Sequence, residues 1–395
     1  MLARNTTNMT QIHPQGHGSQ LKIAEVESIL LGDAHFVRIR TENGLSGLGQ
    51  SACWGYPAAV HQVIATFRRY LIGQDAGRIE HHWQYLYRMG PFRGSVLSAA
   101  VSAVDIALWD LKGRLLEVPI WELLGGKCRD RIRLHLLLDG GTPAEIVANG
   151  KAAAAEGFTA VKFDPLPNGY QDLGQERLIQ STVELVSSVR AEVGPDVDLL
   201  LELHRKLTPL QALPLIAALA PTHPLFVEDP IQIDSITSQA DLSRQLAVPF
   251  AAGERLHTIW EFKELLAAGG AQYVRPDVGL AGGLTHCKKI AAVAESYHAA
   301  VVTHNCLGPV LTAASVHLDA SIPNFVVQEF TKLDEGPQSS AFTTAVRREG
   351  GYLTVPDAPG LGVTLDDSAA KSLDLVGREV TDIPLRNDGS VAFSV

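Results

Sequence analysis

Cysteine is scarce in this chain of 395 residues. It has four, Cys53, Cys128, Cys287 and Cys306, with no CxxC pair. No disulfide framework can be read from them, and the expectation is reduced core thiols in a cytosolic protein. Long apolar runs are also missing, so no segment has the length of a membrane span. The first twenty residues, MLARNTTNMTQIHPQGHGSQ, have no apolar core and are not a secretory signal. They read as a disordered lead-in. Positive charge is in deficit. With 33 Lys and Arg against 43 Asp and Glu, the formal charge is −10, which argues against nucleic acid and anionic membranes as partners. An anionic small molecule stays open, because a few local cations can dominate a pocket. There is no GxGxxG or GxxxxGK[ST], so nucleotide cofactors have no support. There is no GxSxG, so neither does a hydrolase nucleophile elbow.

What is present is enough apolar sequence for a sizeable core, 46% against 19% charged. The length suits a barrel of about 250 residues plus a second domain. Residues 21–130 read as α+β. Alternating strands over VESILL and FVRIR are followed by a hairpin at Glu42-Asn43-Gly44-Leu45, where Asn-Gly tolerates φ > 0 at both central positions. Then come a glycine-rich return strand, LSGLGQS, and helices over about 58–71, 79–87 and the segment SVLSAAVSAVDIALWDLKGRLL. From 131 to 349 the rhythm is βα. The strand candidates are RLHLLL, AVKF, DLLLEL, LFVED, PFAAGE, YVRPD, AVVTH and FVVQE, eight in number, as a closed barrel needs. Residues 350–395 return to strand and turn patterns and are expected to pack on the N-terminal domain.

Six polar residues end or follow these strands: Glu202, Glu228, Glu254, Asp277, His304 and Glu329, at steps of 26, 26, 23, 27 and 25. One βα unit takes about that many residues, and a parallel barrel gathers its strand ends at one mouth. A single acid there could simply cap the next helix. Three glutamates on consecutive strands would repel one another unless a cation neutralised them, and Mg2+ fits an all-oxygen cage with open positions. Asp277 beside His304 reads as a base whose tautomer the aspartate fixes, or as an unrelated polar pair. His204, two residues past Glu202 and on the same strand face, reads as a rim histidine or as a second acid/base group. Lys162 reads as a lysine snorkelling at the mouth or as a cation for a substrate carboxylate, with Asp164 on its face. Arg205 and Arg275 are expected to be ion-pair partners. No HxH follows the first barrel strand, which weakens a metal-dependent hydrolase.

The stretches SAVDIALWDLKGR, PIWELLGGK, VKFD, LELH, VEDP, AGERL, RPDVGLAGGLT and THNCLGPV resemble the enolase superfamily. They run from about 36 to 365, and within the superfamily they look like the mandelate-racemase-like branch and its galactonate-dehydratase-type acid-sugar dehydratases. The resemblance implies an α+β capping domain, built from both chain ends, over a TIM-type (β/α)7β barrel. It implies Mg2+ on Glu202, Glu228 and Glu254, and a base dyad Asp277–His304 that removes the proton α to a carboxylate. The metal and Lys162 would stabilise the enediolate; Mg2+ with a His or Lys base is the pattern that general enzymology attributes to this superfamily. His204 would protonate the departing β-hydroxyl, and Glu329 would hydrogen-bond the substrate carboxylate or the enediolate. Substrate contacts are expected from Lys162, Asp164 and Glu329, and from Trp54 and Tyr56 in a capping loop. The product would be a 2-keto-3-deoxy acid from an aldonate such as galactonate or gluconate, and the protein a homo-oligomer, dimer or octamer. Two features depart from the racemases and many relatives. Lys162-Phe163-Asp164 lacks the second lysine of a Lys-x-Lys base pair, and Glu202 stands where Asp is common. A racemase or epimerase using both histidines, and a non-catalytic binding member, are the alternatives.

Overall fold

The computed structural model describes residues 21–335, 337–373 and 384–393; the expected lead-in over 1–20 lies outside them. Strands β1 (Ile23–Leu31), β2 (Ala34–Thr41) and β3 (Ser46–Ser51) form an antiparallel sheet in that order. The β2–β3 connection is a loop of four residues. In it Gly44 has φ +86° while Asn43 stays at negative φ, so one left-handed residue suffices where two were expected. Helices α1 (Pro57–Leu71), α2 (Ile79–Arg88) and α3 (Ser95–Leu116) cover the sheet.

The glycines of β3 have a packing reason. A Cβ on Gly49 would lie 2.0 Å from the Ala103 carbonyl, and one on Gly47 2.0 Å from that of Ala107. The strand backbone therefore rests directly on one face of α3. Gly49→Ala is expected to destabilise the fold by about 2–3 kcal/mol, the upper part of the overpacking range. Urea unfolding checks this, and an unchanged midpoint would contradict it. Asp110, buried on α3, accepts from Leu48 N at 2.9 Å, Leu361 N at 2.8 Å and Arg114 Nε at 3.0 Å. One carboxylate thus ties sheet, helix and the returning C-terminal segment together.

The second unit is the barrel. Its strands are β4 (Arg131–Leu137), β5 (Ala160–Phe163), β6 (Asp198–Glu202), β7 (Phe226–Glu228), β8 (Phe250–Ala252), β9 (Tyr273–Val274), β10 (Ala300–Val301) and β11 (Gln328–Phe330). They are parallel neighbours in chain order from β4 to β10, and β11 pairs with β4. Val326 N to Val301 O and Glu329 N to Thr303 O join the tenth strand to the last. A helix lies in each of the seven intervals, giving (β/α)7β.

After the barrel come β12 (Phe342–Thr344), β13 (Arg348–Glu349), β14 (Tyr352–Thr354) and β15 (Val363–Leu365). The segment from 350 divides its contacts rather than keeping to the N-terminal domain. β14 runs antiparallel to the first half of β4, and Asp367 pairs with Arg38 of β2. Residues 384–393 lie against the loop that follows β5. The stretch between them, 374–383, lies outside the described residues.

Candidate active site

Period-two alternation builds most of the mouth. Ala160, Leu200, Phe226, Val302 and Val327 form an apolar layer inside the barrel. Two residues further along the same strands, on the same face, stand Lys162, Glu202, Glu228, His304 and Glu329. The apolar layer forms the floor on which the polar layer rests.

Glu254 does not follow this rule. Ala251 and Gly253 share the inward register on β8, and Glu254 is one residue out of phase. Gly253 has φ +129° and its backbone lies against the Phe262 ring, where a Cβ would be 2.5 Å from an aromatic carbon. That left-handed turn, open to glycine, carries Glu254 into the site. Oxygens of Glu202, Glu228 and Glu254 then lie within 4.8 Å of one another.

His204 also corrects the strand argument. β6 ends at Glu202, and His204 and Arg205 have φ +49° and +61°. The histidine reaches the site from a strained turn, and its N–H donates to Glu202 Oε1 at 2.9 Å. Non-glycine residues in this region are costly and cluster at functional sites.

The cations are interleaved with the acids. Lys162, which does not snorkel but is 2% exposed, has its ammonium 2.8 Å from Glu329 and 3.2 Å from both Glu202 and Glu228. Arg275 pairs with Glu329 at 2.5 Å and with Glu228. Arg205 pairs with Asp229 and, at 2.9 Å, with Glu254. Both arginines are the ion-pair partners expected. Arg275, two residues above the inward Tyr273, was legible from the same alternation. His135 was not foreseen: it is buried at the level of Glu329, 3.5 Å from Arg275, and burial pushes its imidazole well below the usual value.

Asp277 and His304 lie just past their strands, bridged backbone to backbone. His304 Nδ1 is 2.6 Å from Asp277 Oδ2, and Nε2 faces Glu254 at 3.5 Å and Glu329 at 3.7 Å. Cys306 Sγ is 3.7 Å from the same Nε2. Burial alone would lower the His304 imidazole, but Cys306, Glu254, Glu329 and the Asp277 bond hold it well above its usual value. Burial and the neighbouring Glu202 carboxylate push Glu228 up; Arg275 and Lys162 oppose this only in part. Burial would also raise Glu202, yet the charges of His204 and Lys162 hold it down.

Two site residues expected to meet substrate have protein partners as well. Asp164 was expected to meet substrate. Its Oδ2 pairs with His204 Nδ1 at 3.1 Å and with Lys206, and its Oδ1 accepts from Leu166 N. Glu329, expected to hydrogen-bond the substrate carboxylate or the enediolate, lies against Lys162 and Arg275. Burial raises it, but Lys162, Arg275 and His304 hold it well below the carboxylate range. Trp54 and Tyr56 follow a junction where Ala52 N donates to Gly279 O, on the loop after Asp277; Tyr56 is 65% exposed. Ser95 meets His257, three residues past Glu254, with Phe92 exposed nearby in sequence.

The donor set fits a hard divalent cation. It is all oxygen, three carboxylates converge in a buried pocket, and the acids of the mouth outnumber its fixed cations. The excess negative charge around His304 is the field that such an ion would offset. Among the described residues no helix is long and apolar enough to cross a membrane.

Comparison with known proteins identifies relatives over nearly the whole chain. Residues 145–369 match the enolase C-terminal domain-like family, and residues 24–125 match the N-terminal domain of mandelate racemase / muconate lactonizing enzyme. The chain is 39% identical to a D-galactonate dehydratase of Ralstonia nicotianae over 84% of this chain and 89% of that one. It is 37% identical to a D-galactonate dehydratase of Cronobacter sakazakii, over 84% and 88%. The crystal structure of an enolase from Agrobacterium radiobacter, with Na and L-malate bound, superposes with a TM-score of 0.87 at 30% identity, covering 95% of this chain and all of that one.

Proposed function

The chain belongs to the mandelate racemase / muconate lactonizing enzyme family of the enolase superfamily, and from that membership and the site geometry we propose a Mg2+-dependent dehydratase of an aldonate, with D-galactonate the first substrate to try. That it is a lyase of the acid-sugar dehydratase kind follows from its relatives. One observation carries the finer reading. Two histidines at the mouth each have Nδ1 against an aspartate, His304 on Asp277 and His204 on Asp164. Each pairing turns Nε2 into the atom that exchanges protons.

Mg2+ on Glu202, Glu228 and Glu254 would supply Lewis-acid stabilisation of the substrate carboxylate as it gains charge. The rest is done by side chains of this chain. His304 Nε2 takes the α-proton, and the electron pair moves into the carboxylate to give the enediolate. The buried ammonium of Lys162 stabilises that charge at close range. Glu329 holds Lys162 and Arg275 in place. His204 Nε2 gives its proton to the β-hydroxyl, which leaves as water while the enediolate electrons form the new C=C bond. The enol so formed tautomerises to the 2-keto-3-deoxy acid.

The test is proton NMR in D2O with Mg2+ and a panel of aldonates, D-galactonate and D-gluconate first. Loss of the α-proton signal with a new 3-deoxy methylene supports the proposal. Inversion at the α-carbon without loss of water would replace it with a racemase, and no turnover of any acid would favour a binding protein. Within the same assay His204→Asn is expected to exchange the α-proton but to lose water at least about 100-fold more slowly, the low end of what a general acid contributes. Undiminished dehydration would remove His204 from the acid role.

A further inference from the structure

The last described residues of the chain close over the loop that carries Asp164. Residues 384–393 form a small hairpin: Leu385 is bridged to Val391, Arg386 N donates to Ser390 O at 2.8 Å, and Gly389 turns the chain at φ +82°. The hairpin is bonded to one short segment of the barrel. The Tyr170 hydroxyl donates to Phe393 O. Arg386 Nη1 donates to Gln171 O at 3.2 Å, and Asn387 N to Asp172 Oδ1 at 2.9 Å. That segment is the helical turn Tyr170–Asp172 in the loop after β5.

From Tyr170 the contacts lead to the mouth. Its ring lies 5.3 Å from Lys206 Nζ, a cation–π distance. Lys206 pairs with Asp164 Oδ2, and the same oxygen meets His204 Nδ1 at 3.1 Å. The other histidine is held differently. Asp277 and His304 are fixed by their own backbone bridge at the ends of neighbouring strands.

We propose that the hairpin over residues 384–393 is a positioning element for the acid step alone: by clamping the Tyr170 turn it fixes Lys206 and Asp164, and through them the tautomer and direction of the His204 ring. This rests on the reading of His204 as the acid. The hairpin sits about 180 residues beyond the histidine in sequence, and it touches no group assigned to proton abstraction. Loosening it therefore separates two steps that share one substrate. The α-proton still leaves to His304, while delivery of a proton to the departing hydroxyl slows.

The experiment uses the full chain carrying Arg386→Ala or Tyr170→Phe, with D-galactonate and Mg2+ in D2O, and measures α-proton exchange and water loss together. Water loss is expected to fall roughly tenfold, a part of the general acid's about 100-fold or more, with exchange retained and Arg386→Lys close to wild type. Imidazole nitrogen NMR gives a readout that needs no substrate. The His204 signals, assigned by their loss in His204→Asn, should move from one tautomer towards a mixture in Arg386→Ala. An unchanged ratio of exchange to water loss, a parallel fall in both, or an unmoved His204 tautomer would overturn the proposal. A blocked His204→Asn beside unaffected hairpin variants would sink the hairpin's role alone. Undiminished water loss in His204→Asn would sink the acid reading beneath it.

Discussion

His304→Asn is expected to lower α-proton exchange and dehydration together by about 1000-fold, within the range that a positioned base contributes. The reasoning is geometric. His304 Nδ1 is taken by Asp277 at 2.6 Å, so Nε2 is the nitrogen turned towards the ring of carboxylates. Asparagine keeps a polar side chain that can still meet Asp277, but it has no basic nitrogen. Cation binding should survive, since His304 is not one of the three converging glutamates. Isotope exchange in D2O measures the first effect, and the shift of unfolding temperature on adding Mg2+ measures the second. Full exchange in the variant would end the assignment of His304 as base.

Glu228→Gln should be as severe by a different route. Glu228 is wholly buried, lies at the centre of the glutamate set, and is flanked by Lys162 and Arg275. Glutamine preserves the shape but removes the negative charge and one anionic oxygen donor. Mg2+ affinity should fall by more than about 100-fold, beyond what loss of an outer-shell partner costs, and turnover should drop to background. The wild-type chain treated with a chelator should lose activity in the same way. Mg2+ restored to about 100 times its dissociation constant should add about 2.7 kcal/mol of stability by mass action. Retained Mg2+ stabilisation in Glu228→Gln would mean that the ion sits elsewhere.

The candidate site was legible where alternation ran unbroken. Lys162, Glu202, Glu228 and Glu329 each stand two residues above an apolar residue of the barrel interior. Sequence spacing locates such a residue because a strand has a fixed two-residue period. It was misleading where the backbone leaves that period. The equal steps from Glu202 to Glu228 to Glu254 suggest three equivalent strand positions. Glu254 arrives instead by a turn at Gly253, and His204 by left-handed φ beyond the strand end. Asp164 shows the other limit. It stands one residue past the end of β5, and its partners, His204 and Lys206, come from the neighbouring strand's loop, where no spacing within one segment predicts them.

By itself the sequence determined the fold class, the eight strands and the acids that stand at unbroken strand register, Glu202, Glu228 and Glu329, while His135 escaped it. These follow from local periodicity and recurring unit length, which need no knowledge of what packs on what. Only the tertiary structure decided which charges meet. Three buried cations thread among the glutamates, Glu329 lies between Lys162 and Arg275, and the hairpin over 384–393 reaches the loop after β5. Ion pairing and side-chain orientation depend on distances of a few ångströms between residues far apart in the chain. Those distances are fixed only when the barrel closes and its loops come to rest on one another.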